Sequence, residues 1–416
     1  MRFLAPALLL SLALPAAAPA ADDYWGYSYR NVDVTASGTN AYTVNIARYC
    51  VRLDTMLTRI LSIKSTYRRP THIYALPSSQ MKRFSGPDYT SVYRSSRYDT
   101  TVILDTGTLP DHRPYWGAYF GYVATLLASD QLLHGPDWYM VGVPSVFADT
   151  VFEGAHAKIG NVTPGLAYTL TTGDALFPMR VFLSMTQQEA EAKGKQAREM
   201  FSAEAWYLAR EVFVEGLHRA EFGQYLDRLR QGTDEPAAFA ASFNITYEQL
   251  DQELAQSMRD RAHIYVMDAP DDPGASHELA QALKPAEVKA RLALLAVRYE
   301  GGPDPVQLAN EALQMDGTNQ TALRALALAQ LAKGAYPEAL AAVDRLSAPG
   351  ASAAAYSDSA YVLAGLTSAE AQGEAHLPVD VATLRQRASD EYGLALSADT
   401  EDRRSQEGLA RLQHSP

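Results

Sequence analysis

The run Tyr115-Trp-Gly-Ala-Tyr-Phe-Gly-Tyr-Val-Ala-Thr-Leu-Leu127 governs how the rest of the chain is read. Trp116, Tyr119, Phe120, Val123, Leu126 and Leu127 recur at the i, i+3, i+4, i+7 spacing of one helix face, which predicts a core helix. The run holds no His, Cys, Asp or Glu, so this helix has none of the usual groups for metal or proton chemistry.

Upstream of it the pattern alternates. Asn31 to Ala36 reads as a strand and Ala41 to Lys64 as an amphipathic helix capped at Thr39 or Asn40. Thr71 to Leu76 is a second strand, Ser79 to Phe84 a helical turn, and Ser91 to Arg94 and Thr100 to Asp105 are further strands. The last of these is apolar on both faces at Val102, Ile103 and Leu104. Downstream, helical patterns dominate, and from about Asp271 the chain becomes rich in Ala and Leu. The change falls at Asp268-Ala-Pro-Asp-Asp-Pro-Gly274, whose Pro, Asp and Gly stop helices and favour turns. The expected fold class is α+β: residues 21–270 with a small mixed sheet plus helices, then an all-α helical repeat domain over residues 271–416.

The repeat rests on a spacing. Leu292-Ala293 and Ala312 align with Leu326-Ala327 and Leu346 at 34 residues, the period of tetratricopeptide helix pairs. In the middle unit Leu323, Leu326, Ala327, Gly334, Tyr336 and Ala339 occupy large, small, turn and close-packing positions. A third unit uses Tyr392, Ala395 and Leu396 after an insertion from Ala364 to Asp380. Stacked pairs of this kind bury one face and present a concave surface, which suits protein segments.

The N-terminus has the parts of a cleavable export signal. Arg2 supplies the charge, Phe3 to Leu14 the apolar run, and Ala18-Pro19-Ala20 the small-x-small cleavage site, with cleavage expected near Ala20. Twelve apolar residues interrupted by Pro6 fall short of the roughly 20 needed for a membrane-spanning helix. The expected location is periplasmic or secreted, without membrane insertion after cleavage. A net charge of −12 without a basic block of the phosphate-tracking kind argues against nucleic acid as partner. The single cysteine, Cys50, forms no intramolecular disulfide, and its helical spacing with Ile46, Leu53, Leu57 and Ile60 places it in the core.

Taken in order, these elements resemble the peptidase MA-like (gluzincin) domains that precede tetratricopeptide repeats in bacterial exported proteins. The resemblance covers residues 24 to about 266. It runs through the strands and helices above, Pro136-x-Trp138-x-x-Val-Gly142 with Phe147-Ala148, the helix opened by Ala205-Trp206-Tyr207-Leu208, and Ala237 to Phe243 before a last helix from Tyr247. Active members are zinc peptidases. Their His-Glu-x-x-His places two ligands on one helix face with a general base between them, and a later Glu before Gly completes the site. The matching positions here are Gly121, Tyr122 and Thr125, with Val141 before Gly142; no His-Glu-x-x-His occurs anywhere in the chain. The resemblance therefore implies a pseudopeptidase without cofactor, whose former ligand positions Gly121, Tyr122, Thr125 and Val141, with Trp138 nearby, either line a binding cleft for an extended peptide or have closed into core. Strand addition would then occur at a sheet edge near Thr100 to Asp105.

Other chemistry has weaker starting points. His134, Asp137, Glu153 and His156 are zinc-ligand types, but their spacings match no standard set. Ser79-Gln-Met-Lys82 fits Ser-x-x-Lys without a companion Lys-Thr-Gly, and His277-Glu278 lacks a second His. The aromatic segment Tyr24-Trp25-Gly-Tyr27-Ser-Tyr29 suits either a sugar face or anchoring of the mature terminus. The expectation is a non-catalytic protein- or peptide-binding module. Its rivals are a hydrolase with a metal site around His134 and His156, and an envelope scaffold without a cleft.

Overall fold

The computed structural model describes residues 23–61, 63, 67–86, 90–107, 115–129, 134–161, 164–172, 176–259, 265–269, 279–299, 302–347 and 350–414. The export signal, residues 270–274 of the interrupting run and His277-Glu278 lie outside them.

The fold is α+β. A six-stranded mixed sheet is built from β1 (Tyr24–Tyr29), β2 (Val32–Ser37), β3 (Thr71–Leu76), β4 (Ser91–Ser95), β5 (Thr100–Asp105) and, far along the chain, a two-residue strand at Gln281–Ala282. The order is β4-β5-β3-β2-β1 with the late strand outermost beside β1; β2, β3 and β5 are parallel, and the outer pairings are antiparallel. The first helix, α1 (Asn40–Ile60), starts where Thr39 accepts the Tyr42 N–H, and makes the crossover from β2 to β3. The aromatic run read as an anchor is in fact β1, turned into β2 at Arg30, whose φ is +52°.

Alternation along the strands assigns the two faces. Val32, Val34, Ala36, Ile73, Ala75, Val102 and Leu104 point to the side of α1, into the large core. Tyr74, Leu76 and Ile103 point to the other side, where α2 (Ser78–Ser85) contributes Met81 and Phe84. Both faces are thus covered, which explains why β5 is buried along its length and apolar on both faces at Val102, Ile103 and Leu104.

On the large-core side lie α3 (Trp116–Ser129), α4 (Asp137–Ala148), α5 (Pro164–Thr172), α6 (Met179–Phe182), α7 (Gln187–Ala192) and α8 (Lys195–Arg210), the last running into a π-helical turn at Glu211–Glu215. They are followed by α9 (Arg219–Arg230), α10 (Glu235–Ser242) and α11 (Tyr247–Arg259). The Ala205 to Leu208 run stands well inside α8 rather than opening it. A second sheet, missed in the sequence, joins β6 (Val151–Glu153), β7 (His156–Ile159) and β8 (Tyr265–Asp268). Buried Arg52 of α1 pins it by donating to the Gly154 and Ala269 carbonyls. Cys50 is fully buried.

The strand at Gln281–Ala282 is β9. It is followed by α12 (Pro285–Arg298), α13 (Pro305–Met315), α14 (Gln320–Ala332), α15 (Tyr336–Leu346), α16 (Ala353–Ala371), α17 (Val381–Ala398) and α18 (Arg403–His414). They pack as successive helix hairpins, with Gly334 at φ +72° in the turn between α14 and α15. The insertion placed at residues 364–380 is half helix: α16 continues to Ala371 because nothing in that Ala-rich stretch breaks it before Gly373. The helical half also docks on the first half. Leu295 and Ala296 of α12 pack with Tyr24, Tyr74, Leu76 and Ile103 on the second face of the sheet, and β9 extends the same sheet.

Candidate functional site

Gly121, Tyr122, Thr125, Trp138 and Val141 do not form a cleft. Gly121 lies flat on β5, where an added Cβ would come within 2.6 Å of Val102. Tyr122 is buried with its hydroxyl 3.5 Å from the Asn31 amide oxygen, and buried Thr125 returns its hydroxyl to the Gly121 carbonyl at 2.7 Å. Trp138 is fully buried, edge-on to Tyr139 and Phe222. Val141 is half-buried against the same core. Of an open cleft and a closed core at these five residues, the structure has the closed core: with Gly121, Tyr122 and Val141 in place the helices close on the sheet, and apolar surface that can leave water does so. The edge assignment is corrected. Thr100–Asp105 is flanked by β3 and β4, so its backbone groups are already paired.

At its N-terminal end α3 reaches the surface through half-buried Trp116 and Phe120, a turn apart and stacked with ring centroids at 5.2 Å. Next to them runs the true edge, β4. Gly117 lets α3 approach it, since a Cβ there would meet Ser91 Cβ at 2.8 Å. The ring of Tyr93, itself 44% exposed, stands 5.9 Å from Phe120. Hydrogen bonds from the Asp105 N–H to the Thr90 carbonyl and from the Ser96 N–H to the Asp99 carbonyl set the phase of the antiparallel ladder. In that phase the even-numbered residues pair with β5, and the backbone groups of Ser91, Tyr93 and Ser95 point outward. Beyond Trp116 an open depression of about 310 Å³ is walled by Ser145, Leu166, Thr169, Ser202 and Trp206. The sequence signal for this surface is the four-residue spacing of Trp116 and Phe120, which pack against the core as their helix face predicts and are half-buried, leaving part of each ring at the surface.

A second polar region lies where the sheet meets the helical half. His72 on β3 stands with Nδ1 3.7 Å from an Asp33 oxygen and Nε2 3.9 Å from an Asp99 oxygen. Arg291 of α12 reaches Asp33 at 3.3 Å and Thr35 at 2.9 Å, and Arg298 reaches Asp99 at 3.2 Å. Burial by itself would raise the Asp99 carboxyl, but Arg298 and His72 hold it at about 2; burial would raise Asp33 too, and Arg291, His72 and Ser28 together hold it lower still. Burial and Arg298 push the His72 imidazole below its ordinary value in spite of the two carboxylates. His72 opens on a cavity of about 560 Å³ lined also by Arg30, Tyr67, Asp402, Arg403 and Arg404.

The remaining sequence candidates stay apart. His134 offers its carbonyl to Arg230, Asp137 accepts the Gln187 N–H, Glu153 pairs with Lys158 at 2.7 Å, and His156 pairs with Asp268 at 3.1 Å. Among the described residues no group of three or more His, Cys, Asp or Glu is placed to hold a metal ion. Ser79 and Lys82 sit exposed on α2. Among the described residues no helix is long and apolar enough to cross a membrane. Comparisons with protein-family models, with curated proteins and with solved structures return no match.

Proposed function

We propose that this chain is an exported, non-catalytic peptide-binding module that takes an extended segment of a partner protein by strand addition at β4. The observation that carries the reading is the pairing of an edge strand, whose outward backbone groups are those of Ser91, Tyr93 and Ser95, with the aromatic surface of Tyr93, Phe120 and Trp116 beside it. Backbone pairing supplies affinity in such a mode, and side-chain surfaces on alternate positions supply selectivity. The non-catalytic part rests on sequence, which lacks His-Glu-x-x-His. Export rests on the N-terminal signal, and N-terminal sequencing of the secreted protein should begin near Ala21. The resemblance to gluzincin domains with helical repeats belongs to this proposal and agrees with a mixed sheet flanked by helices.

The deciding variant is Tyr93→Pro. Proline at an outward-facing position of an edge strand removes the N–H offered to a guest strand, here together with the Tyr93 ring, and leaves the β4–β5 bonds intact; Tyr93→Ala, which removes the ring alone, separates the two contributions. Peptide capture should be abolished while circular dichroism and melting change little. Capture that survives the substitution would place the site elsewhere. Metal analysis with a general peptidase assay should find substoichiometric zinc and no chelator-sensitive cleavage; one tightly held zinc per chain would overturn the non-catalytic assignment.

A further inference from the structure

The chemistry of the guest strand can be read from what flanks β4. The whole chain is acidic, with 48 Asp and Glu against 36 Lys and Arg, yet residues 67–98 carry six basic side chains and a single acidic one, Asp88. Four of the six, Lys82, Arg83, Arg94 and Arg97, are exposed on α2, on β4 and in the turn that follows it; Arg97 is paired with Glu407 at 3.0 Å, so the basic row beside β4 is carried by Arg94 and the two α2 residues. Strand alternation divides the surroundings of β4 in two. Ser91 and Tyr93 lie on the α3 side with Phe120 and Trp116, whereas Val92 and Arg94 lie on the α12 side, where Arg94 sits 4.8 Å from the ring centroid of Tyr299 and Val92 packs with the cluster that holds Phe84 of α2. A guest strand has the same period of two, so one row of its side chains meets aromatic rings and the other meets the basic row.

Resting on the strand-addition reading above, we infer that the partner segment is acidic and alternating: apolar or aromatic residues at every second position facing Tyr93 and Phe120, and Asp or Glu at the intervening positions facing Arg94 and the end of α2. In a chain of net negative charge, this local basic surface steers an acidic segment to the β4 edge rather than to β6, β8 or β9, the other outermost strands among the described residues, and repels basic ones. Like charges set side by side across a strand pair are destabilising, so the selection acts against lysine-bearing segments as well as for acidic ones.

The test uses the full mature protein and three capped, fluorescein-labelled heptapeptides that alternate Val with Glu, Val with Gln, or Val with Lys, followed by fluorescence anisotropy. The Val/Glu peptide should bind roughly tenfold or more tightly than Val/Gln, and Val/Lys should bind weakest; the difference should shrink several-fold in 0.5 M salt, about where screening reaches only a few ångströms. Arg94→Glu, an exposed change, should reverse the order, and Tyr93→Pro should abolish binding of all three. Equal affinities that are all lost in Tyr93→Pro would overturn the acidic preference while leaving strand addition in place. Absence of binding, or binding insensitive to Tyr93→Pro, would overturn strand addition and this inference together. Capture of phosphatidylglycerol vesicles that outlasts Tyr93→Pro would assign the basic surface to an anionic membrane instead and overturn the proposal.

Discussion

At the scale of single residues, glycines do much to set how closely the helices approach. Gly142 of α4 lies so near α8 that an added Cβ would fall 2.1 Å from the Ala205 carbonyl oxygen, a contact with backbone that no rotamer change relieves. Gly142→Ala should therefore force α4 and α8 apart and cost at least about 1–3 kcal/mol. Gly223, inside α9, has nothing within 4 Å of the same position, so Gly223→Ala should stabilise the protein by about 0.5–1 kcal/mol through helix propensity. Urea denaturation of the two variants in parallel measures both signs. A destabilised Gly223→Ala would show that glycine position and packing are not related as argued. Gly142 stood out in the sequence only as the residue after Val141; its reason, the neighbouring backbone of α8, comes from a segment more than 60 positions away.

At the scale of elements, the chain's own helices and strands were largely legible, and their neighbours were not. The bounds of β3 and β5 follow from local alternation, and the start of α1 from a Thr cap, because those signals lie within a few residues of one another. β9 and the three short strands of the second sheet were missed, since strands of two to four residues have too little alternation to register and acquire their pairing from distant partners. The stacking of α14, α16 and α18 is fastened by a buried ion triad: Asp358, 3% exposed in its side chain, lies between Arg324 and Arg404. Removing the shared anion leaves two guanidinium groups facing each other with little water, so Asp358→Asn should cost about 3–5 kcal/mol. Thermal melting of this variant against Asp344→Asn, a change in an exposed pair with Arg387, supplies the comparison; equal melting temperatures would count against the triad as a fastening.

At the scale of the whole molecule, the first helix of the C-terminal half covers the sheet, and the junction is ionic as well as apolar. Asp33 and Asp99 face Arg291 and Arg298 across it, with His72 between the carboxylates and Arg404 and Asp358 close behind. His72 is held below its free value when folded. The unfolded chain takes up this proton near pH 6.5 while the folded chain resists it, so the contribution is fully present above that pH and is lost as pH falls toward the folded value. Asp33 and Asp99, depressed in the fold, add a separate loss that begins only below about pH 4–5. Wild-type melting temperature should accordingly drop between pH 7 and 5.5 by more than that of His72→Asn; parallel curves over that window would remove His72 from the balance.

The sequence by itself determined the α+β class, the long first helix, the core helix at Trp116 and the central strands, the burial of Cys50 and the absence of His-Glu-x-x-His, because each is written in local spacing or in the residues themselves. Tertiary structure alone decided that the helix face at Gly121, Tyr122 and Thr125 is closed, that β4 rather than β5 lies at an edge of the sheet, and that the helical half covers the sheet. Those three outcomes depend on which surfaces meet. Gly121 can lie on Val102, Leu295 can cover Ile103 and Arg291 can reach Asp33 only once segments far apart in the chain exclude water between them, and short-range pattern carries no record of that choice.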